Sequence, residues 1–171
     1  IKTLNAALGD SDGKTNLYKI GFSNSRWATG LATFNKEVLE EAFENGYVEK
    51  WAGVDNTPIP TNKEEQIIAE EIQVTSTDTL LQSNNLSKVD FLQIDTEGFD
   101  FEVIKLFLGN TLEIKPTGII YEHFHLSNED IKKCESFLHE NGYITKQYGG
   151  NTAALLKSDK PYFSALEKYF Q

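Results

Sequence analysis

Asp95, Glu97, Glu122 and His123 are the side chains of this chain whose types and spacing can do chemistry. Asp95 and Glu97 fall where the apolar run of residues 89–94 gives way to Asp-Thr-Glu-Gly. Glu122 and His123 follow a second apolar run that begins at Gly118. Carboxylates at the C-terminal tips of strands in an open α/β sheet sit where such folds bind ligands. If the two strands are parallel neighbours, all four side chains share one end of the sheet. There an imidazole can take a proton from a hydroxyl at neutral pH, which makes His123 the candidate base ahead of Glu122. With His125, the same acids and imidazoles would suit a divalent ion, although no strict ligand-spacing motif is present. Plainer uses exist for each. Asp95 can cap the helix that follows, Glu97 can favour that helix's N-terminus, and His123 can be satisfied by backbone groups.

The elements that must position these residues are legible from hydrophobic spacing. Phe99, Val103 and Phe107 recur at helical intervals, so a helix over about 98–108 follows the 89–94 strand, with Gly98 giving the backbone room to turn. Gly118–Phe124 reads as a strand, and Ser127 caps a helix to Glu140 that Asn141-Gly142 stops. Tyr143–Tyr148 and Thr152–Lys157 read as strands joined by Gly149-Gly150-Asn151, a tight hairpin signal. A closing helix over 161–170 is expected to turn Phe163, Leu166 and Tyr169 or Phe170 inward. This order gives an α/β fold with parallel strands and an antiparallel C-terminal hairpin.

The first half is less regular. Thr3–Leu8 and Leu17–Ile20 read as short strands about the turn Gly9-Asp10-Ser11-Asp12-Gly13. Residues 21–35 read as a surface loop. Glu37–Asn45 reads as a helix with Val38, Ala42 and Phe43 on its inner face, and Tyr47–Lys63, holding Pro58 and Pro60, as irregular. Glu71–Thr75 reads as a strand, after which Ser76-Thr77-Asp78 caps a short helix through Leu81.

Bulk properties exclude several functions. The 171 residues suffice for a single domain with a real core, and 39% are hydrophobic. No run approaches the ~20 apolar residues that span a bilayer. A formal charge of −10 disfavours nucleic acid and anionic membranes as partners. The single cysteine, Cys134, lies in an amphipathic stretch and reads as a buried small hydrophobe, consistent with a reducing cytoplasm. The chain holds no methionine and begins at Ile1, so the expectation is an internal or C-terminal piece of a longer polypeptide.

Five segments taken in order resemble one family. They are Asn5-Ala6-Ala7-Leu8-Gly9-Asp10 with Asp12-Gly13, then Thr77-Asp78-Thr79-Leu80-Leu81, then Ile94-Asp95-Thr96-Glu97-Gly98 with Phe101-Glu102-Val103-Ile104 behind it. Ile119-Ile120-Tyr121-Glu122-His123 and Asn151-Thr152-Ala153-Ala154-Leu155 complete the set. The chain resembles the FkbM-type methyltransferases over roughly residues 1–157, with residues 22–70 as a poorly matching, lid-like insertion in one domain spanning 1–171. The resemblance implies a Rossmann-like class I sheet, S-adenosylmethionine as cofactor, and O-methylation of a hydroxyl on a sugar, glycan or small metabolite. It places Asp10 near the adenine. It places Asp95 where it can face the methyl donor and orient the acceptor, with Glu97, Glu122 and His123 on the acceptor side.

The front of the chain departs from that pattern. Such enzymes hold the cofactor with a glycine-rich loop after their first strand and an acid after their second, and no Gly-x-Gly occurs here. Lacking those strands, the sheet would carry an open edge, which allows self-association. Two other classes therefore stay open: a non-catalytic binding or assembly module, and a metal-dependent hydrolase on the same strand ends. Of Trp27 and Trp51, one is expected to anchor its loop and the other to serve as a lid.

Overall fold

The computed structural model describes residues 1–96 and 98–170. Glu97, singled out above, lies outside the described residues. The order is β1 (Ala7–Gly9), β2 (Gly13–Ile20), α1 (Arg26–Thr29), α2 (Lys36–Glu44), α3 (Tyr47–Val54), α4 (Lys63–Gln66), β3 (Ile67–Ser76) and α5 (Thr77–Ser83). Then come β4 (Phe91–Ile94), α6 (Asp100–Leu108), β5 (Gly118–Glu122), α7 (Asn128–Glu140), β6 (Tyr143–Tyr148), β7 (Asn151–Leu156) and α8 (Pro161–Glu167). Residues 1–7 with 12–74 form one compact unit, and residues 8–11 with those from 75 onward form another.

In the first unit β2 runs antiparallel to β3, from Gly13 opposite Val74 to Ile20 opposite Ile67. The ladder extends β3 well beyond the Glu71–Thr75 expected, because its N-terminal half has β2 to pair with. The core beside this hairpin gathers Ile20, Ala28, Leu39, Ala42 and Val48. Three expectations are corrected here. Residues 26–29 are a helical turn that buries Ala28. Within the stretch expected to be irregular, α3 forms because Val48 and Ala52 lie one turn apart and both are buried. On α2 the inward residue is Leu39, whereas Val38 is exposed. Trp27 anchors locally, donating from Nε1 to Asp55 Oδ2 at 2.7 Å and packing on Phe22. Trp51 is half-buried on α3 against Tyr47, with the Lys50 ammonium over its ring.

The second unit holds a mixed four-stranded sheet in the order β4-β5-β7-β6. β4 and β5 are parallel, from Phe91 opposite Gly118 to Ile94 opposite Tyr121. β7 runs antiparallel to both β5 and β6. α6 and α7 cover the sheet, and Ile104, Cys134 and Leu138 meet Ile94, Ile119, Tyr121, Tyr143 and Ala154 in one core. The elements here follow the expected order, although β4 starts at Phe91, α6 at Asp100, and α8 stops at Glu167. Ser127 Oγ accepts from Asp130 N at 3.1 Å at the start of α7, and Ser76 Oγ accepts from Thr79 N at 3.1 Å at the start of α5. Cys134 is fully buried, as its amphipathic setting requires. α8 ends at Glu167, and Leu166 and Tyr169 are exposed, so of the aromatics expected to turn inward only Phe163 and Phe170 are partly covered.

Candidate active site at the strand tips

The parallel β4–β5 ladder ends at Ile94 and Tyr121, so Asp95 and Glu122 are the next residue on each strand. This is the arrangement that adjacent parallel strands were expected to give. The turn after β4 uses Gly98 at φ +103°, a conformation that a side chain strains. Asp95 is exposed and makes no hydrogen bond or ion pair among the described residues. It is not the cap of α6, since Phe99 occupies that position and no side-chain cap is present.

Asp100, the first residue of α6, is fully buried. Its Oδ2 accepts from Thr96 Oγ1 at 2.9 Å and from Thr96 N at 3.3 Å, and its Oδ1 accepts from Glu122 N at 3.1 Å. Sequence reasoning passed over this residue, because an acid in the first turn of a helix is ordinarily a solvated partner of the helix dipole.

His123 follows β5 and is half-buried. Its backbone N–H donates to Gly150 O at 2.9 Å, and its Nδ1 lies 2.9 Å from Thr152 Oγ1. Thr152 stands opposite Tyr121 in the β5–β7 ladder and is fully buried. The Tyr121 hydroxyl is also buried near Cys134 and Thr152, yet makes no hydrogen bond of good geometry. Burial drives the Tyr121 hydroxyl and the Cys134 thiol toward their neutral forms, the thiol to about 11. Behind the imidazole therefore lies a neutral, desolvated layer. Thr152 was also missed as a positioning residue. Its place in an alternating strand with Ala154 was the available signal, since both are buried.

Glu122 is half-buried, and its Oε2 is 3.8 Å from Nε2 of the exposed His125. Phe124 and Tyr148 are 73% and 82% exposed beside this tip, and Phe124 packs over Gly150 of the hairpin turn. His139, by contrast, ends α7 and pairs with Thr145 Oγ1 at 2.9 Å, a structural use. No group of three or more His, Cys, Asp or Glu among the described residues is arranged to hold a metal ion.

Asp10 lies elsewhere in the same unit. It lines a cleft of about 420 Å³ with Asp78, Phe99, Glu102, Lys105 and Asn110, whereas Asp95, Glu122 and His123 are not among the lining residues. The structure thus brings the β4 and β5 tips together and sets Asp10 in a separate concavity. Asp78 in that cleft is engaged, its carboxylate accepting from Thr111 N at 2.8 Å and Thr111 Oγ1 at 2.6 Å. Glu102 pairs with Lys105 at 2.6 Å.

No helix among the described residues is long and apolar enough to cross a membrane. No curated protein and no solved structure matches the chain. The model of the methyltransferase FkbM domain matches residues 1–145, the span that carries the β4 and β5 tips with Asp95, Asp100, Glu122 and His123. By that match over most of its length, the chain belongs to the FkbM methyltransferase domain family.

Proposed function

We propose that this domain carries the acceptor side of an S-adenosylmethionine-dependent O-methyltransferase acting on a hydroxyl of a sugar or small metabolite. The observation that carries the reading is His123. Its Nδ1 is engaged by a buried threonine at the end of a parallel strand, next to the tip that bears Asp95, which has no hydrogen-bond or ion-pair partner among the described residues. With the Nδ1 proton donated to Thr152 Oγ1, Nε2 becomes the proton acceptor. Methylation of an alcohol requires the oxygen to lose its proton as the new C–O bond forms. His123 Nε2 receives that proton, while Asp95 and Glu122 accept hydrogen bonds from neighbouring hydroxyls and hold the acceptor in line. A general base contributes typically 10²–10⁴-fold. The exposed rings of Phe124 and Tyr148 offer flat apolar faces next to polar groups, which suits a hydroxylated ring as acceptor.

The fit to the cofactor is partial. When bound, S-adenosylmethionine supplies a methyl group activated by a sulfonium. The cleft beside Asp10 offers a carboxylate that can accept from an adenine amine, but the chain contains no Gly-x-Gly turn for the amino-acid end. A second reading is a domain that binds or assembles without catalysing.

Two measurements on the full natural polypeptide separate the readings. Calorimetry with S-adenosylmethionine and its demethylated product shows micromolar binding for a transferase and none for a non-catalytic module. Mass spectrometry and NMR of products from hydroxylated acceptors then show an O-methyl group, and methyl transfer to nitrogen alone would refute the assignment to oxygen.

A further inference from the structure

We infer that Asp100 is a positioning residue that locks the tips of β4 and β5 to each other, and so sets the separation of Asp95 from His123. The inference rests on the methyltransferase reading of those tips. A carboxylate that only favours a helix N-terminus has no need to leave water, yet Asp100 is fully buried. Burying it is costly unless its oxygens are satisfied. They are satisfied by three donors on two segments: Thr96 N and Oγ1 at one oxygen, and Glu122 N at the other.

The placement is specific. Thr96 immediately follows Asp95, and Glu122 immediately precedes His123. The ladder between the strands stops at Ile94 and Tyr121, so beyond that point the Asp100 carboxylate is the bond that joins the tips among the described residues. α6 brings this group to the site, and Gly98 at φ +103° lets the chain turn sharply enough to deliver it. Asparagine replaces it only in part: with its amide oxygen toward Glu122 N, its NH2 group can donate to the Thr96 hydroxyl, but it leaves the Thr96 N–H facing a donor, whereas alanine removes both arms of the clamp.

Positioning matters because a misplacement of about 1 Å between reacting groups costs roughly 100-fold in rate. The test uses the full natural polypeptide with Asp100→Ala, Thr96→Val and Thr96→Ser. Thr96 is exposed, so its variants fold even if Asp100→Ala does not. The expected result is that Thr96→Val lowers kcat about tenfold, leaves acceptor KM within about twofold, and melts with the wild type, whereas Thr96→Ser retains wild-type kcat. Amide hydrogen exchange at Glu122 N–H should accelerate in Asp100→Ala, which leaves that donor without its acceptor. Wild-type kcat in Thr96→Val, equal impairment in Thr96→Ser, or a loss confined to KM would overturn the proposal. Absence of methyl transfer in the wild type would instead refute the functional reading. The clamp is then judged by exchange at Glu122, where unchanged protection in Asp100→Ala overturns it.

Discussion

Thr152→Val tests the role of the layer behind His123. The substitution preserves shape and removes one buried hydroxyl whose oxygen lies 2.9 Å from His123 Nδ1. A neutral hydrogen bond of this kind contributes about 0.5–1.5 kcal/mol net. If it holds the imidazole as the Nδ1–H tautomer, its loss lets the ring turn or carry its proton on Nε2, and the active fraction falls. At 1.4 kcal/mol per factor of ten, the bond's value corresponds to a decrease of roughly 2- to 12-fold in kcat. Complete removal of the base by His123→Ala should cost more, about 10²–10⁴-fold. The assay is the initial rate of methyl transfer at saturating donor and acceptor, with melting temperatures measured in parallel. Because His123 is half-buried, water can reach part of the ring, and the expected loss of stability is small. A Thr152→Val enzyme with wild-type kcat would refute the tautomer argument. So would one as impaired as His123→Ala but equally unstable, which would assign Thr152 to the fold instead.

Three further outcomes follow from the geometry. Burial raises the Cys134 thiol from an ordinary 9.0 to about 11, so the folded chain keeps a proton there that the unfolded chain has lost. Stability from this group is intact below pH 9.0 and falls as pH rises toward about 11, by at most roughly 2–3 kcal/mol. Denaturant titrations of wild type and Cys134→Ala check it, and a wild-type slope no steeper than the variant's contradicts it. Gly98→Ala forces a side chain onto φ +103° and should cost about 1–2 kcal/mol by urea unfolding; a neutral effect would mean that the turn relaxes at no cost. Asp95→Ala should leave the melting temperature unchanged, because the carboxylate is exposed and has no partner among the described residues, while lowering kcat/KM at least tenfold. Full turnover in that variant would remove Asp95 from the site.

The second half of the chain was legible because its signals agree at every level. Apolar runs of strand length, serine caps and glycine stops each fall where β4, α6, β5, α7 and the β6–β7 hairpin begin and end. The first half was legible only in part. α3 has its inward pair Val48 and Ala52 at helical spacing, but Pro58 and Pro60 later in the stretch outweighed it in the reading. β3 owes its length to pairing with β2 along its first eight residues, and such long-range pairing is not written in local propensity. In the candidate site, the positions of Asp95, Glu122 and His123 at the tips of neighbouring strands could be read from strand pattern, whereas their chemical roles are proposals. Asp100 and Thr152 could not be read that way, because what distinguishes them is burial. An acid at the start of a helix and a threonine in a strand look ordinary until the neighbouring elements close over them.

The central claim is that the β4 and β5 tips move a methyl group to an alcohol with His123 as the base. The most direct measurement is transfer of a labelled methyl from S-adenosylmethionine to a hydroxylated acceptor by the full natural polypeptide, wild type against His123→Ala. The account predicts labelled methyl ether from the wild type and a rate lowered at least about 100-fold in the variant, with donor binding retained. Equal rates in the two proteins would contradict it.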